Sequence, residues 1–352
     1  MQCRSMIDKS EGRSGPTVAP AAPARPTSAD VARRAGVSRA TVSHVLNSTD
    51  HPVSERTRQR VLAAAQELQY APNASARALR AGRSNIVLVP MSRSAVIPGQ
   101  DEFLENLDRE LADRDLVLLM HGDRTTNGAR GAHAWAELRP AAVYLDVSRG
   151  TPAAVELLRR AGVQAILLTG VPSVTYAPTV PLDPAAAARL ATQHLLTRGS
   201  RRLACLVPGG ALAEVSARRH HAVVQVAAAD NVPVERVDCE LSSDSIAPVV
   251  GRWRDPAHRP DAVYASNDQF AILLIHKLLE AGLEVPQDIA VVGSGDDPLG
   301  AALRPALTTT SFVVPEIARV VASSIRRLLD GHDLDPDMEA ALRPRLVIRE
   351  SG

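Results

Sequence analysis

The apolar positions of the chain first become regular after residue 26, where they follow the 3.6-residue period of a helix. Two short apolar faces are separated by Gly36, a residue type that often ends a helix in the left-handed conformation. The first face is Val31, Ala32 and Ala35, and the second is Val42, Val45 and Leu46. Thr27, Ser28 and Ser38 precede these faces and have hydroxyls suited to capping a helix start. The pattern predicts two short helices joined by a tight turn.

A third helix is predicted from Ser54 to about Gln69, ahead of Pro72, which cannot continue a helix. Its inner face is predicted to be Val61, Leu62, Ala65 and Leu68. Two helices joined by a tight turn form the arrangement that places the second helix in the major groove of DNA. A small helical bundle with no role in DNA binding is the alternative interpretation.

The distribution of charge favours DNA binding over the plain bundle. Residues 27–84 contain nine arginines and four acidic residues, which gives a net charge of +5. Residues 85–352 carry a net charge of −6, although the whole chain is close to neutral at +1. A basic segment attached to an acidic body is typical of proteins that bind nucleic acid. We therefore predict that the N-terminal segment binds duplex DNA.

The start of the second helix carries side chains suited to reading bases and holding phosphate. Arg39 can donate two hydrogen bonds to guanine, and Ala40 can contact the methyl group of thymine. Thr41 and Ser43 have small hydroxyls suited to phosphate, and His44 follows one turn later.

From Ile86 onward, short apolar runs alternate with stretches of helical spacing. The runs are Ile86–Met91, Asp115–Met120, Ala141–Leu145, Gln164–Thr169, Arg202–Val207, Ala262–Ala265 and Ile289–Val292. This alternation predicts parallel sheets in an α/β fold. Ligands of such sheets bind beyond the carboxyl ends of the strands, so polar residues there are ligand contacts or, alternatively, turn and helix caps. These residues are Ser92, Arg93, Asp123, Asp146, Asn267, Asp268 and Asp296.

The motif D-V-A-R-R-A-G-V-S-R-A-T-V-S-H-V-L-N resembles the headpiece signature of the LacI/GalR family of bacterial transcriptional regulators. A-S-A-R-A-L-R-A-G-R-S resembles the hinge of that family, and P-D-A-V-Y-A-S-N-D-Q and D-I-A-V-V-G-S-G-D-D-P-L-G resemble parts of its body. The resemblance runs in order through about residues 26–352. It implies an α/β protein with an N-terminal helix-turn-helix headpiece and a two-lobed, periplasmic-binding-protein-like (type I) effector domain with parallel sheets.

The resemblance and the composition together imply a domain organisation. Residues 1–26, rich in Pro, Ala and Ser, are predicted to be a disordered arm. The DNA-binding domain is expected at 27–73, the hinge helix at 74–84, and the effector-binding and dimerisation domain at 85–352. The first lobe is expected at about 85–182 and 311–338, and the second at about 183–310 and 339–352.

The resemblance assigns the contacts to DNA. Arg39, Ala40 and His44 would face bases, although His44 stands where the family usually has arginine. Leu79 would insert into the minor groove at the centre of the operator, a mechanism by which apolar side chains kink DNA. The full predicted DNA-binding set is Thr27, Ser38, Arg39, Ala40, Thr41, Ser43, His44, Asn47, Ser54, Asn73, Ala78, Leu79 and Arg80.

The effector site is less well specified by the resemblance. Its predicted residues are Ser92, Asp146, Arg219, His220, Asn267 and Asp296. His220 stands at the register of a ligand-gripping arginine of the family, with Arg219 adjacent, and G-S-G-D-D replaces the usual G-F-D-D. Either Gly295 or Asp296 then takes the place of the first acid. With only nine aromatic residues in the chain, the effector is a sugar or nucleoside, something smaller, or absent altogether.

Several classes of function lack support in the sequence. No G-x-S-x-G, H-E-x-x-H or Walker motif is present, so we expect no enzyme, cofactor or metal site. No apolar run approaches the roughly 18 residues of a membrane span. The first residues lack the apolar core of a signal peptide, and the three cysteines lack metal-ligand spacing, so a reducing, cytoplasmic and nucleoid-associated location is expected.

The main hypothesis is a transcriptional repressor that binds an inverted-repeat operator as a homodimer and responds to a small-molecule effector. The alternative is a ligand-independent DNA-binding regulator whose lobes serve only dimerisation. A solute-binding module of another class would require export, and the basic head and the absence of a signal peptide argue against it. The expected partners are therefore duplex operator DNA, a small molecule and a second copy of the chain, with no membrane.

Overall fold

The structure is a computed structural model. It describes residues 26–46, 53–70, 84–91, 99–122 and 128–352. The chain divides between residues 81 and 82 into two compact units, a headpiece and a body.

In its described part the headpiece consists of helices α1 (Ser28–Ala35), α2 (Arg39–Leu46) and α3 (Glu55–Glu67). Helix α1 ends at Gly36, whose φ of 64° is left-handed as predicted. The core of the headpiece is Val31, Ala32, Ala35, Val42, Val45, Val61, Ala64 and Ala65.

The predicted inner face of α3 was wrong at one position. Leu62 keeps 47% of its surface exposed, whereas Val61 is fully buried and Ala64 is 4% exposed. Successive residues of a helix are rotated by about 100°, so with Val61 facing inward its neighbour Leu62 faces sideways toward solvent. Residues three and four positions after Val61 complete the buried face instead.

The first lobe of the body is a parallel sheet with strands in the order β2-β1-β3-β4-β5. The strands are β1 (Ile86–Pro90), β2 (Val117–His121), β3 (Ala142–Asp146), β4 (Ala165–Thr169) and β5 (Thr179–Val180). The helices among them are α4 (Gln100–Ala112), α5 (Gly128–Glu137) and α6 (Pro152–Arg160). Buried apolar residues lie on both faces of the sheet, as a parallel sheet covered by helices requires.

The second lobe is a sheet with strands in the order β11-β10-β9-β8-β6-β7. The strands are β6 (Leu203–Pro208), β7 (Val234–Cys239), β8 (Ala262–Ala265), β9 (Ala290–Ser294), β10 (Thr308–Ser311) and β11 (Arg345–Val347). The helices are α7 (Pro184–Thr197), α8 (Ala213–Ala229), α9 (Ser243–Trp253), α10 (Asp268–Glu280) and α11 (Pro298–Ala302). Only the pairing of β10 with β11 is antiparallel within this sheet.

The chain returns to the first lobe after β10. Helices α12 (Val314–Leu329) and α13 (Met338–Ala341) contribute buried residues to the core around β1, β3 and β4. Ala341 belongs to that core, so the second lobe resumes at β11 and not at about residue 339, where the sequence analysis placed the boundary.

Candidate DNA-binding surface and effector site

Helix α2 buries one side in the headpiece and leaves its first turn exposed. Val42 and Val45 are 0% and 4% exposed and pack against the other two helices. Arg39 and Ala40 are exposed, while Thr41 is partly buried. Of the side chains predicted to read bases, Arg39 and Ala40 therefore stand at the accessible N-terminus of α2, the end through which recognition helices contact base edges. His44 lies in the last turn of α2 and is partly buried.

Three hydroxyls of the predicted DNA-binding set, those of Thr27, Ser38 and Ser54, cap the N-termini of the three helices, whereas Ser43 lies midway along α2 and is partly buried. Ser38 Oγ accepts the Thr41 amide at 3.0 Å, and Ser54 Oγ accepts the Thr57 amide at 3.3 Å. Thr27 accepts the Asp30 amide at 3.4 Å and donates its hydroxyl to that carboxylate at 2.6 Å, a bond that lowers the pKa of Asp30. Helix N-termini bind anions because their unpaired amides carry partial positive charge.

The arginines of the headpiece fall into two groups. Arg33 forms an ion pair with Asp30, and Arg34 with Glu67, each at 2.7 Å. Among the described residues, Arg39, Arg56 and Arg60 are exposed and make no ion pair, so no neighbouring carboxylate offsets their charge. Arg56 and Arg60 contribute to the predicted basic charge of this segment but are not among the predicted DNA contacts.

Several predicted site residues lie outside the described residues. They are Asn47, Asn73, Ala78, Leu79, Arg80, Ser92, Arg93 and Asp123. Their assignments remain predictions.

In the second lobe, Arg219 and Asn267 meet at the carboxyl end of β8. Arg219 of α8 donates Nε to the carbonyl of Pro184 at 3.3 Å and Nη1 to the carbonyl of Ser266. Asn267, only 4% exposed, follows Ser266 and accepts the amide of Phe270 at 3.1 Å as the cap of α10. Asn267 can cap the helix and contact a ligand at the same time, because its side-chain amide nitrogen is not used in the capping bond.

His220 lies in a different environment from Arg219. The charged groups that act on it are Arg236 and Asp238 of β7, which lies beyond β6 from β8, and the adjacent His221. Its Nε2 is buried and has no hydrogen-bond partner in the described part of the chain. Desolvation, followed by the positive charge of Arg236, lowers the pKa of His220. The geometry therefore groups Arg219 with Asn267 and places His220 beside the edge strand.

The two acids of G-S-G-D-D have different partners. Asp297 accepts the Leu299 amide at 2.9 Å and caps α11, which makes Asp296 the residue directly before the cap. Asp296 has a left-handed φ of 59° and pairs with Arg349 at 2.6 Å. Arg349 is separated from it by more than fifty residues, so the sequence offered no local signal for this pair.

Asp268 is a buried carboxylate that the sequence analysis did not include in the effector set. It is 2% exposed, and its two oxygens accept the Thr309 hydroxyl and the Asp297 amide, both at 2.7 Å. Burial raises its pKa. Because Asp268 follows β8, Asp297 follows β9 and Thr309 lies on β10, this one carboxylate joins three neighbouring strands close to Asp296.

The first lobe contributes Asp146, which ends β3 and accepts the amide of Ser148 at 2.8 Å. Nearby, Arg149 is 2% exposed and donates to the carbonyl of Met91 at the end of β1. Its guanidinium lies 5.0 Å from the ring centroid of Trp135, a cation–π contact. Asp146 therefore belongs to a strand end in the other lobe from Arg219 and Asn267.

Four aromatic side chains that could stack on a ligand ring instead belong to the cores. Trp135 and Trp253 are fully buried, and Phe103 and Tyr144 pack together in the first lobe with ring centroids 6.0 Å apart. A cavity of about 240 Å³ at the carboxyl ends of β6 and β7 is lined by residues that include Phe270 but not Arg219 or Asn267.

Other chemistries find little support in the described residues. No group of three His, Cys, Asp or Glu side chains there could hold a metal ion. Burial raises the pKa of the Cys205 and Cys239 thiols to about 12 and about 11, which keeps them protonated and unreactive near neutral pH. Within the same ranges, no helix is both long and apolar enough to cross a membrane.

A helix-turn-helix headpiece and a two-lobed α/β body with polar strand ends define a DNA-binding regulator that carries a ligand-binding type of domain. Residues 27–73 match the model of bacterial regulatory proteins of the lacI family, and residues 192–352 match a periplasmic binding protein-like domain. The chain is 30% identical to the ribose operon repressor of Escherichia coli (strain K12), covering 80% of this chain and 87% of that protein. It is also 30% identical to the transcriptional repressor PurR of Vibrio atlanticus (strain LGP32), over 92% and 97%.

The fold is similar to a crystal structure of the lac repressor dimer bound to operator and the anti-inducer ONPF. The TM-score is 0.71 at 24% identity, covering 92% of this chain and 98% of that one. The chain belongs to the lacI family of bacterial regulatory proteins. The predicted family, the fold class and the role of a DNA-binding transcriptional regulator are confirmed.

Proposed function

We propose that the protein is a repressor that binds an inverted-repeat operator as a homodimer and changes its affinity for DNA when a small molecule binds the body. The observation that carries this proposal is the exposed first turn of α2, where Arg39 and Ala40 stand clear of the headpiece core. The names of the ribose operon repressor and PurR, and a lac repressor structure described as a dimer on its operator, support it.

The DNA contacts divide by chemistry. We assign Arg39, Ala40 and His44 to bases, and the hydroxyls at the helix N-termini to phosphate, because hydroxyls and helix starts hold phosphate without reading sequence. The hinge residues Asn73, Ala78 and Arg80 would lie along the DNA, with Leu79 inserted in the minor groove. Such a short helix is marginal by itself in water, so it would form only with its partner hinge on DNA.

The effector would bind between strand ends of the two lobes. Arg219, Asn267 and Asp296 would contribute from the second lobe, and Asp146 and Ser92 from the first. The ligand would be a sugar, a nucleoside or a smaller polar molecule held by hydrogen bonds. Binding would be the whole activity, without catalysis or a cofactor, in a cytoplasmic protein associated with the nucleoid.

A second candidate is a regulator that needs no ligand, with lobes that serve only dimerisation. One observation favours it: Arg219, Asn267 and Asp296 are each bonded within their own lobe, to carbonyls, a helix start and Arg349 respectively. A thermal-shift screen with sugars and nucleosides separates the candidates. Stabilisation by one compound supports an effector, and no shift across a broad panel supports the second candidate.

The DNA-binding proposal is tested by selecting bound duplexes from a random pool with the purified protein at near-physiological salt. An enriched inverted repeat is expected. Bulk binding that is sensitive to salt but enriches no sequence would contradict specific recognition, because it reflects phosphate contacts alone.

Arg39→Ala should then change base preference in both half-sites of the selected sequence. Arg33→Ala is the matched control, since it removes the same charge from a residue that is already paired with Asp30. If Arg39→Ala weakens binding to all sequences equally, Arg39 is a phosphate contact and not a base reader.

The hinge is tested separately with Leu79→Ala, which should weaken operator binding and reduce DNA bending while leaving the body folded. Gel mobility of circularly permuted operator fragments measures the bend. Wild-type bending and affinity in this variant would contradict the insertion of Leu79.

A further inference from the structure

One side chain of the second lobe forms a hydrogen bond with the backbone of the first. Arg218 of α8 donates Nη1 to the carbonyl of Val171 at 3.0 Å. Val171 lies in the connection between β4 and β5 of the first lobe. Neither residue is in a segment where the chain crosses between the lobes, so this bond depends on how the lobes are arranged.

The other side of the Arg218 guanidinium is held by its own helix. Nη2 donates to Glu214 Oε1 at 3.2 Å, one turn earlier on α8. This pair limits the rotamers of Arg218 and aims Nη1 at the first lobe. The next residue, Arg219, is bonded to the carbonyls of Pro184 and Ser266, which belong to the second lobe. Helix α8 is packed in the core of the second lobe, and among its described side-chain hydrogen bonds only that of Arg218 reaches the first lobe.

A second bond between the lobes lies close to the segments that connect them. Arg345 at the start of β11 donates to Glu316 near the start of α12 at 3.1 Å. Both residues adjoin the segments through which the chain crosses between lobes. Residues close to a hinge change their separation least when two bodies rotate about it. The bond from Arg218 to Val171 is therefore the one of these two that rotation would break.

We propose that Arg218 is a latch between the lobes, which stabilises the arrangement described here and sets how often the lobes separate. This inference concerns the regulation of the proposed effector site, and it rests on the proposed function only for its consequence on DNA. The Arg218 side chain keeps 43% of its surface exposed, so solvent can replace the bond when the lobes part. Because solvent screens an exposed charge, this bond should contribute no more than an ordinary hydrogen bond and shift the equilibrium roughly 3- to 10-fold.

The test measures distances between the lobes in the full chain, without DNA or ligand. Spin labels are attached to Ala153→Cys in the first lobe and Ala257→Cys in the second, in a Cys3→Ser background. Pulsed electron paramagnetic resonance then gives the distribution of distances between the two labels. Both positions are exposed, while the native Cys205 and Cys239 are buried.

Arg218→Gln should raise the ratio of long to short distances roughly 3- to 10-fold. Arg218→Lys keeps a charged donor and should fall between that variant and the wild type. Arg160→Gln is the matched control, since Arg160 pairs with Glu156 one turn away but stays within the first lobe. Melting temperatures of the three variants show that each is folded.

Equal distance distributions for wild type, Arg218→Gln and Arg160→Gln would overturn the proposal and make Arg218 an ordinary surface residue. Because neither operator nor effector enters the measurement, failure of the proposed function would leave its result unchanged.

Discussion

Replacing Gly293 with alanine should destabilise the second lobe strongly. A Cβ on Gly293 would lie 2.1 Å from Asp268 Oδ1 and 3.1 Å from Leu307 Cδ2. The carboxylate cannot retreat freely, because it accepts the Thr309 hydroxyl and the Asp297 amide, both at 2.7 Å. The new methyl group must therefore push a buried carboxylate off its partners or bend β9.

The magnitude follows from two contributions. Overpacking a buried site costs about 1–3 kcal/mol. Losing one hydrogen bond to a charged acceptor adds about 1.5–3 kcal/mol. The total of about 2.5–6 kcal/mol corresponds to a fall in melting temperature of about 10 °C or more for a body of this size.

Tryptophan fluorescence is a suitable assay, because the two tryptophans of the chain, Trp135 and Trp253, are buried in the first and second lobe respectively. Gly251→Ala is the matched control. Gly251 lies in α9 with no atom within 4 Å of an added Cβ, so alanine there should raise stability by about 0.5–1 kcal/mol.

A double-mutant cycle with Asp268→Ala assigns the cause. If the clash is with the carboxylate, Gly293→Ala should cost much less once Asp268 is alanine. An equal cost in both backgrounds would refute this reasoning and point to Leu307, the other close neighbour. A Gly293→Ala variant as stable as wild type would refute the packing argument altogether.

Three further predictions concern pH and the headpiece. Burial raises the pKa of Asp268. The stability that the protonated carboxyl contributes is therefore present at low pH and is lost as pH rises through the raised pKa. The melting temperature of Asp268→Asn, measured across pH 3–8, should not show this loss. Because the pKa of His220 is lowered, the wild type should lose stability as pH falls below about 6.5 and through the lowered pKa. In the same experiment, the melting temperature of His220→Gln should fall less on acidification. Hydrogen exchange of α3 amides in the full chain measures the free energy of opening the headpiece. Leu62→Ala should lower this free energy by less than about 0.5 kcal/mol, and Val61→Ala by about 2 kcal/mol. Equal effects would contradict the different burial of the two side chains.

The start signals of the headpiece helices were predictable because they are local. Thr27, Ser38 and Ser54 each bond a backbone amide three residues ahead, and Gly36 adopts the left-handed turn that its residue type favours. Such contacts depend on sequence spacing alone. The exposure of Leu62 was missed because leucine is apolar and its position, about 100° around the helix from Val61, lies at the margin of the apolar face.

Strands β7 and β10 were missing from the predicted elements for two different reasons. β7 reads V-E-R-V-D-C, and as an edge strand it is partly exposed, so its pattern carries charge in place of a continuous apolar run. β10 reads T-T-T-S, yet Thr308, Thr309 and Thr310 are fully buried. Their hydroxyls bond to Gly352, Asp268 and Gly293. A buried strand of threonines looks polar in sequence because its hydrogen-bond partners lie far along the chain.

The hydrogen-bond partners of residues at the proposed effector site were also not predictable, because they lie far along the chain. Asp296 pairs with Arg349, and Asp268 reaches Thr309, over separations of 53 and 41 residues. No periodicity or capping rule spans such distances. Sequence reasoning could name polar residues at strand ends, but only the fold separated His220, beside β7, from Arg219 and Asn267.

The latch and the proposed effector site make a joint prediction. A ligand that touches Asp146 on the first lobe together with Arg219 and Asn267 on the second binds only when the lobes are together. Its apparent affinity then scales with the populated fraction of that arrangement. If roughly nine molecules in ten have the lobes together, a 10-fold shift of the equilibrium toward separated lobes leaves about half of the molecules in that arrangement. Arg218→Gln should therefore weaken ligand binding only about 2-fold. A much larger loss, measured by calorimetry with a compound found in the thermal-shift screen, would mean that Arg218 touches the ligand itself.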